Sequence, residues 1–246
     1  MRILGVIPAR LKSSRLFEKP LADICGKPMV YWVYEQAKKS KNCDEIVVAT
    51  DSERVVEACS QYGINAIITS DDHDTPTSRI YEVSTKMDFD YYVFISGDEP
   101  LIDYESIDAI AGEAKKGEAD AINAMIEIKH APDVIDFSNI KVVTNEENYL
   151  LYTTRSPLPY PKGGLDFEYM KFVGIGAFSK HALKIFNESH RSKLEQIEEC
   201  DLLRFIEKGV KVKMVQVGCE SLSVDTMKDL EFVTRKIQGV VQEINN

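Results

Sequence analysis

Short runs rich in Val, Ile and Tyr recur at 3–7, 45–50, 65–69, 91–95 and 119–125, each apolar enough to be covered on both faces of a sheet. Between them, 28–40, 52–62, 77–86 and 104–116 carry the apolar spacing of helices. Pro28 suits a first helical position, and Asp51-Ser52 and Asp103 supply capping oxygens. Strand alternating with helix means βαβ units, which predicts an α/β fold built on a doubly wound, mostly parallel sheet.

The pattern changes after about residue 130. Segments 139–145, 148–154 and 172–178 read as sheet without intervening helices, and the proline- and glycine-rich stretch 157–164 reads as an irregular loop. Helices are expected at 180–186, 194–207 and 227–244, with a strand at 210–217. One domain of 1–246 is expected, with a nucleotide-binding βαβ half (1–130), a β-rich insertion or lid (131–190) and a return to the main sheet (191–246).

Composition narrows the class. Of 246 residues, 44% are hydrophobic and 28% charged, which excludes disordered, collagenous and disulfide-dense chains. The net charge of −10 argues against a general grip on nucleic acid or an anionic membrane. Cys25, Cys43, Cys59, Cys200 and Cys219 form no close pair and read as reduced thiols of a cytoplasmic protein. His73, His130, His181 and His190 lack metal-binding spacing, so a zinc site is not expected. No apolar run is long enough to cross a bilayer, and the N-terminus opens on a strand rather than a signal peptide.

Three segments carry candidate chemistry. The loop after the first strand, Pro8-Ala9-Arg10-Leu11-Lys12-Ser13-Ser14-Arg15-Leu16-Phe17-Glu18-Lys19-Pro20, gathers cations and hydroxyls where a parallel sheet binds its ligand. In an otherwise acidic chain, that concentration suits a triphosphate better than a solvated basic loop. The turn Ser96-Gly97-Asp98-Glu99-Pro100 aims a carboxylate, a hard oxygen ligand suited to Mg²⁺, over a strand end. Asp225, in Ser223-Val224-Asp225-Thr226, reads by default as a cap of the last helix; it faces Asp98 only if strand 210–217 lies near the first four. Two carboxylates, Mg²⁺ and a cationic loop together describe nucleotidyl transfer.

The ordered set Ile7-Pro8-Ala9-Arg10, Ser13, Arg15-Leu16, Lys19-Pro20-Leu21, Gly26-Lys27-Pro28-Met29 and Val48-Ala49-Thr50-Asp51 resembles the sugar-acid cytidylyltransferases, in particular those acting on 3-deoxy-manno-octulosonate (Kdo). The resemblance continues through His73, Thr77, Arg79, Gly97-Asp98-Glu99-Pro100, Lys141-Val142-Val143, Tyr152, Arg155, Gly174-Ile175, Leu194-Glu195, Ile197-Glu198, Leu203-Arg204 and Val224-Asp225-Thr226. It implies a nucleotide-diphospho-sugar transferase-like fold and a cytoplasmic, homodimeric, Mg²⁺-dependent enzyme joining CTP to the anomeric hydroxyl of an acidic sugar. By the same resemblance Pro8, Ala9, Arg10, Ser13, Arg15, Lys19, Thr77, Arg79 and Gly97 would bind CTP. Lys19, Asp98 and Asp225 would be catalytic, with both aspartates on the metal, and Ser96, Arg155, Phe172, Glu198 and Asp201 would face the sugar.

The departures from the family pattern gather on the acceptor side. Ser96 stands where a Gln is usual, Phe172 where a His is usual, and Asp201-Leu202 where Glu-Gln is usual. Losing polar partners from a hydroxyl-reading pocket weakens recognition of the usual sugar, so a modified ulosonate or a nonulosonate is an alternative acceptor. Phe17-Glu18 replaces Pro-Gly in the phosphate loop, and Pro76 replaces a Gly before Thr77. A glycosyltransferase using a nucleotide sugar and a non-catalytic nucleotide sensor are the remaining alternatives. The basic loop disfavours the first, and retention of both carboxylates disfavours the second.

Overall fold

The computed structural model describes residues 1–12, 15–164, 167–218 and 222–244. Its first part runs β1 (Ile3–Pro8), a 3-10 turn (Lys19–Leu21), β2 (Asp23–Ile24), β3 (Lys27–Pro28), α1 (Met29–Ala37), β4 (Glu45–Thr50), α2 (Glu53–Gln61), β5 (Ala66–Ile68), α3 (Pro76–Lys86), β6 (Tyr91–Ile95) and α4 (Tyr104–Lys116). The second continues with β7 (Ala121–Glu127), α5 (Ala131–Ile135), β8 (Lys141–Thr144), β9 (Leu150–Thr154), β10 (Met170–Ser179), α6 (Lys180–Glu188), α7 (Lys193–Glu198), α8 (Leu202–Glu207), β11 (Val212–Gln216) and α9 (Met227–Ile244). The main sheet has the order β11-β7-β10-β6-β1-β4-β5, with β8 on β10 and β9 on β8. Pairs β1–β4, β1–β6, β4–β5 and β7–β11 are parallel; β10 runs antiparallel to both β6 and β7.

Alternation along β1 builds the two layers. Ile3 and Ile7 join Val30 and Val33 of α1, Val55 of α2 and Ile107 and Ile110 of α4 on one face. Leu4 and Val6 join Ile80 and Val83 of α3, Leu183 and Phe186 of α6 and Leu203 and Phe205 of α8 on the other. A side chain period of two thus covers the sheet twice, as the continuous apolar runs require. A third cluster, with Leu16, Ile24, Met29, Val224, Leu230, Val233 and Ile237, ties α9 to the segment after β1.

Several expectations change. The helix expected at 194–207 is two, because Glu199 adopts φ +51°. That break lets Glu198 reach β9 while Leu202, Leu203 and Phe205 stay buried. Ser52 precedes α2 without a capping side-chain bond, whereas Asp103 Oδ1 caps α4 by accepting from the Ser106 amide at 2.8 Å. Pro28 is extended and precedes α1 rather than opening it. The 172–178 segment, expected as sheet, lies inside the main sheet within β10, with β6 and β7 on its two sides. The β2–β3 hairpin, too short to read from periodicity, turns on Cys25 and Gly26, both at positive φ as a two-residue hairpin loop demands.

The Phe17-Glu18 replacement proves compatible with the loop. Phe17 is 84% exposed, and Glu18, at φ +50°, turns its carboxylate onto Arg54 of α2. Neither side chain lines the cavity described below. Glu18→Ala is therefore expected to leave steady-state turnover within about twofold of wild type, because an ion pair on the surface outside the cavity contributes little. A tenfold loss would place Glu18 in the phosphate site after all.

Candidate active site

The carboxyl ends of the parallel strands β1, β4, β5 and β6 open on one side, and the segments leaving them enclose a cavity of about 240 Å³. Pro8, Ala9, Arg10, Arg15, Lys19, Arg79, Ser96, Gly97, Asp98 and Asp225 line it, together with Pro20, Met29, His73, Asp74, Thr75, Pro76 and Phe94. Ten residues singled out in the sequence therefore meet in one place. Ser13 lies outside the described residues.

Backbone geometry fixes the floor. The Ala9 amide donates to Ala49 O at 2.8 Å, and the Leu11 amide donates to Asp51 Oδ1 at 2.9 Å, so the loop leaving β1 is pinned to the end of β4. Gly97 is required by close approach, since a Cβ there would lie 2.4 Å from Pro8 O. The Val224 amide donates to Asp98 O at 2.8 Å, which docks the segment before α9 beside β6. This contact brings Asp225 to Asp98 although β11 sits at the far edge of the sheet. β11 itself does not come near the first strands, and the segment returning from it carries Asp225 there instead.

Asp225 is not the cap of α9. Thr226 Oγ1 accepts from the Asp229 amide at 3.3 Å, and Asp229 Oδ2 accepts from the Thr226 amide at 2.8 Å, a reciprocal cap. The Asp225 carboxylate is left for the cavity. Lys19 Nζ donates to Asp98 Oδ2 at 2.6 Å and to Asp225 Oδ1 at 2.9 Å, and Arg15 Nη2 lies 3.0 Å from the same Asp225 oxygen. Ser96 Oγ donates to Asp98 Oδ1 at 2.7 Å, so the residue that replaces Gln orients a carboxylate.

Two hard carboxylate oxygens within reach of one ammonium can share one cation, and this donor type fits a divalent oxophilic ion. Phosphate oxygens would complete its shell, since no cluster of three or more acidic, His or Cys ligands exists among the described residues. Arg79 is buried, with Nη1 on Thr69 Oγ1 at 2.5 Å and Nη2 3.6 Å from Asp51 Oδ2. Burial lowers its pKa, opposed by the charge of Asp51. His73 Nε2 meets Glu82 Oε2 at 2.5 Å. Burial pushes the Glu82 carboxyl up, but hydrogen bonds from Lys86, His73 and the Ser70 amide outweigh it and bring it down to about 2.

The other expected residues are arranged differently. Thr77 does not line the cavity; its hydroxyl donates to Asp201 Oδ2 at 2.8 Å, joining α3 to the start of α8. Burial pushes the Asp201 carboxyl up against that bond. Arg155 and Glu198 form a separate cluster, the Arg155 amide donating to Glu198 Oε2 at 2.8 Å and Arg155 Nε to Glu198 O at 2.9 Å. Phe172 is half-buried on β10 and packs against the α3/α6/α8 core. The motif pair Glu195 and Arg204 is structural, a buried double hydrogen bond at 2.5 and 2.6 Å. Asp51, as the anchor of Leu11, was missed because Asp after a strand reads equally as a helix cap. The 73–76 wall was detectable as the segment after a parallel strand, whereas Met29 gives no signal beyond that of core.

A family model described as cytidylyltransferase matches residues 4–213. The chain belongs to the cytidylyltransferase family. It is therefore an enzyme of the nucleotidyltransferase class, and the glycosyltransferase and sensor alternatives fall away. It is 39% identical over 241 residues to a 3-deoxy-manno-octulosonate cytidylyltransferase of Fusobacterium nucleatum, covering 97% of this chain and 98% of that one. The same protein name is carried by an Escherichia coli relative, 37% identical with 93% of each chain covered. A solved CMP:2-keto-3-deoxy-manno-octonic acid synthetase complexed with CTP superposes with a TM-score of 0.93 at 35% identity, covering 97% of this chain and 99% of that one. A glucose-1-phosphate thymidylyltransferase structure from Bacillus anthracis, at 16% identity and TM-score 0.66, shares the fold alone. No helix among the described residues is long and apolar enough to cross a membrane.

Proposed function

We propose that this enzyme transfers CMP from CTP to the anomeric hydroxyl of 3-deoxy-manno-octulosonate, releasing pyrophosphate, with Mg²⁺ as the divalent ion. The observation that carries the reading is the Lys19 ammonium shared by Asp98 and Asp225 within a cavity that Arg10 and Arg15 also line. The names carried by the relatives support the acceptor. Arg10, Arg15 and Lys19 screen the triphosphate and hold it, with Arg79 and the backbone of Pro8, Ala9 and Gly97 forming the wall on the nucleotide side. Asp98 and Asp225 would hold the ion, which would neutralise charge developing on the phosphates and make the attacking hydroxyl easier to deprotonate.

The sugar hydroxyl attacks the α-phosphorus as its proton passes to solvent water, the P–O bond to the β-phosphate breaks, and the electron pair leaves with pyrophosphate. Sugar carboxylate and triphosphate repel each other, so the cations must hold both anions while keeping the attack in line. Arg155 takes the sugar carboxylate, with Glu198 orienting it, and no His or Cys nucleophile is needed. A related ulosonate or nonulosonate is the second reading, favoured by one observation: the Ser96 hydroxyl donates its proton to Asp98, which leaves it only acceptor lone pairs to offer a sugar.

Incubation with CTP, Mg²⁺ and a panel of ulosonates and nonulosonates, read by pyrophosphate release and product mass, should give a CMP-sugar with Kdo. Product only with another sugar acid would select the second reading; silence with folded protein would reject both. The same proposal includes a homodimer, to which exposed Ile135, Phe137, Tyr160 and Phe167 in the 131–190 insertion offer apolar surface. Sedimentation should give a two-chain mass. A cytoplasmic setting is consistent with the free thiols of Cys25, Cys43, Cys59 and Cys200.

A further inference from the structure

Lys141 on β8 pairs across the ladder with Thr154 of β9, one residue before Arg155. Its side chain has no exposed surface. Nζ donates to Asp136 O at 2.8 Å and to Asn139 O at 2.6 Å, both backbone carbonyls, and no carboxylate among the described residues lies within ion-pair distance. Burying an ammonium without a counter-charge is costly, and burial indeed lowers its pKa, opposed by the charge of Asp136 and reinforced by that of Arg155. Something must offset that cost.

What the ammonium holds is the turn 136–139. Within its own chain this turn has little apolar anchorage, since Phe137 is 74% exposed and Ile135, just before it, is 72% exposed, both on the surface proposed above for a second copy. Its other bonds are from Ser138 to Asp136 Oδ1, from Asn139 Nδ2 to Asp133 O at 3.0 Å, from the Asn139 amide to Asp136 O at 3.3 Å and from Lys171 Nζ to Asn139 Oδ1 at 3.5 Å, the last two long. The Phe137 carbonyl, midway between the two carbonyls that Lys141 grips, accepts from Arg155 Nη1 at 3.0 Å. On its other side the guanidinium donates through Nε to Glu198 O at 2.9 Å. Two carbonyls on separate segments therefore fix its plane. Arg155 Nη2 has no hydrogen-bond partner among the described residues, which leaves donors for an anion.

We propose that Lys141 is a positioning residue for the acceptor sugar: it clamps the 136–139 turn so that Phe137 O holds the Arg155 guanidinium in the orientation that receives the sugar carboxylate. The inference rests on the reading of Arg155 as the carboxylate's partner. A fork-shaped donor gains from orientation in a way that a point charge does not, which is why an apolar-supported turn with looser carbonyls would not serve as well.

The test is steady-state kinetics on the full chain for Lys141→Met, Arg155→Ala and the double variant, with CTP and acceptor varied separately. Lys141→Met should raise the acceptor KM about tenfold and leave kcat and the CTP KM within about twofold, as misplacement of a binding group does. Arg155→Ala should raise the acceptor KM further, and adding Lys141→Met to it should change nothing more, because the lysine acts only through the arginine. An unchanged acceptor KM in Lys141→Met beside a raised one in Arg155→Ala would overturn the positioning role and leave the Arg155 reading intact. No effect of Arg155→Ala would overturn both. Equal damage to CTP and acceptor parameters, or additive effects in the double variant, would mark Lys141 as merely structural. If Lys141→Met does not fold, Ser138→Gly loosens the same turn by removing the hydroxyl bond to Asp136 Oδ1 and should raise the acceptor KM alone, by about threefold; no rise would again reject the proposal.

Discussion

Asp98→Asn and Asp225→Asn are each expected to lower Mg²⁺-dependent turnover by at least about 10³-fold while the protein stays folded, because an ion stabilising developing charge supplies several kcal/mol and each 1.4 kcal/mol is a factor of ten. Both replacements keep shape and an acceptor oxygen but remove the charge. The backbone contact that docks the two segments, Val224 N to Asp98 O, does not involve either side chain, so the architecture of the site should survive. Both carboxylates contact the same ammonium and are proposed to share one ion. The double variant should therefore be little worse than either single one, since groups that act as a unit are not additive. Pyrophosphate release measured under saturating CTP and acceptor, with circular dichroism as the folding control, decides the matter. Turnover within tenfold of wild type in either variant would remove that residue from the ion site.

Much of this arrangement was legible in the chain because it depends on local signals. The strands β1, β4 and β6 are unbroken apolar runs, Asp103 announces α4, and the Arg10, Arg15 and Lys19 loop follows a buried strand where ligands gather in parallel sheets. What was not legible depends on pairings between distant segments. Nothing in 172–178 says that β10 enters the middle of the sheet antiparallel to its neighbours, and nothing in 210–217 says that β11 closes the far edge. The break at Glu199 is hidden for a related reason: a left-handed Glu is set by its surroundings, not by helix propensity. On the site itself, sequence chemistry named both carboxylates and the lysine but could not show that they touch. The family resemblance assigned Thr77 to CTP and Ser96 to the sugar, and in the structure their hydroxyls donate to Asp201 and Asp98. Hydroxyls bond whichever acceptor the fold brings near, so their roles follow geometry that a sequence does not state.

Lys19→Met is expected to lower turnover by about 10²–10³-fold, the usual loss when one preorganised donor to transition-state charge is removed. A second consequence follows from its contacts without ligand. Lys19 is 12% exposed and is the one cation within ion-pair distance of Asp98 among the described residues, while Asp225 also has Arg15. Without the ammonium, two carboxylates that it held together are left to repel, and Asp98 keeps no cation within ion-pair distance among the described residues. Both are about one-third exposed, so solvent screens the loss to about 1 kcal/mol, a fall of a few degrees in Tm for a chain of this size. A divalent ion can occupy the space the ammonium leaves, so millimolar Mg²⁺ without CTP should raise the Tm of Lys19→Met more than that of wild type, in which the ion must displace an existing cation. Thermal unfolding of both proteins across a Mg²⁺ series measures this directly. A wild-type shift equal to or larger than that of the variant would mean that, without CTP, the ion does not bind where Lys19 now sits.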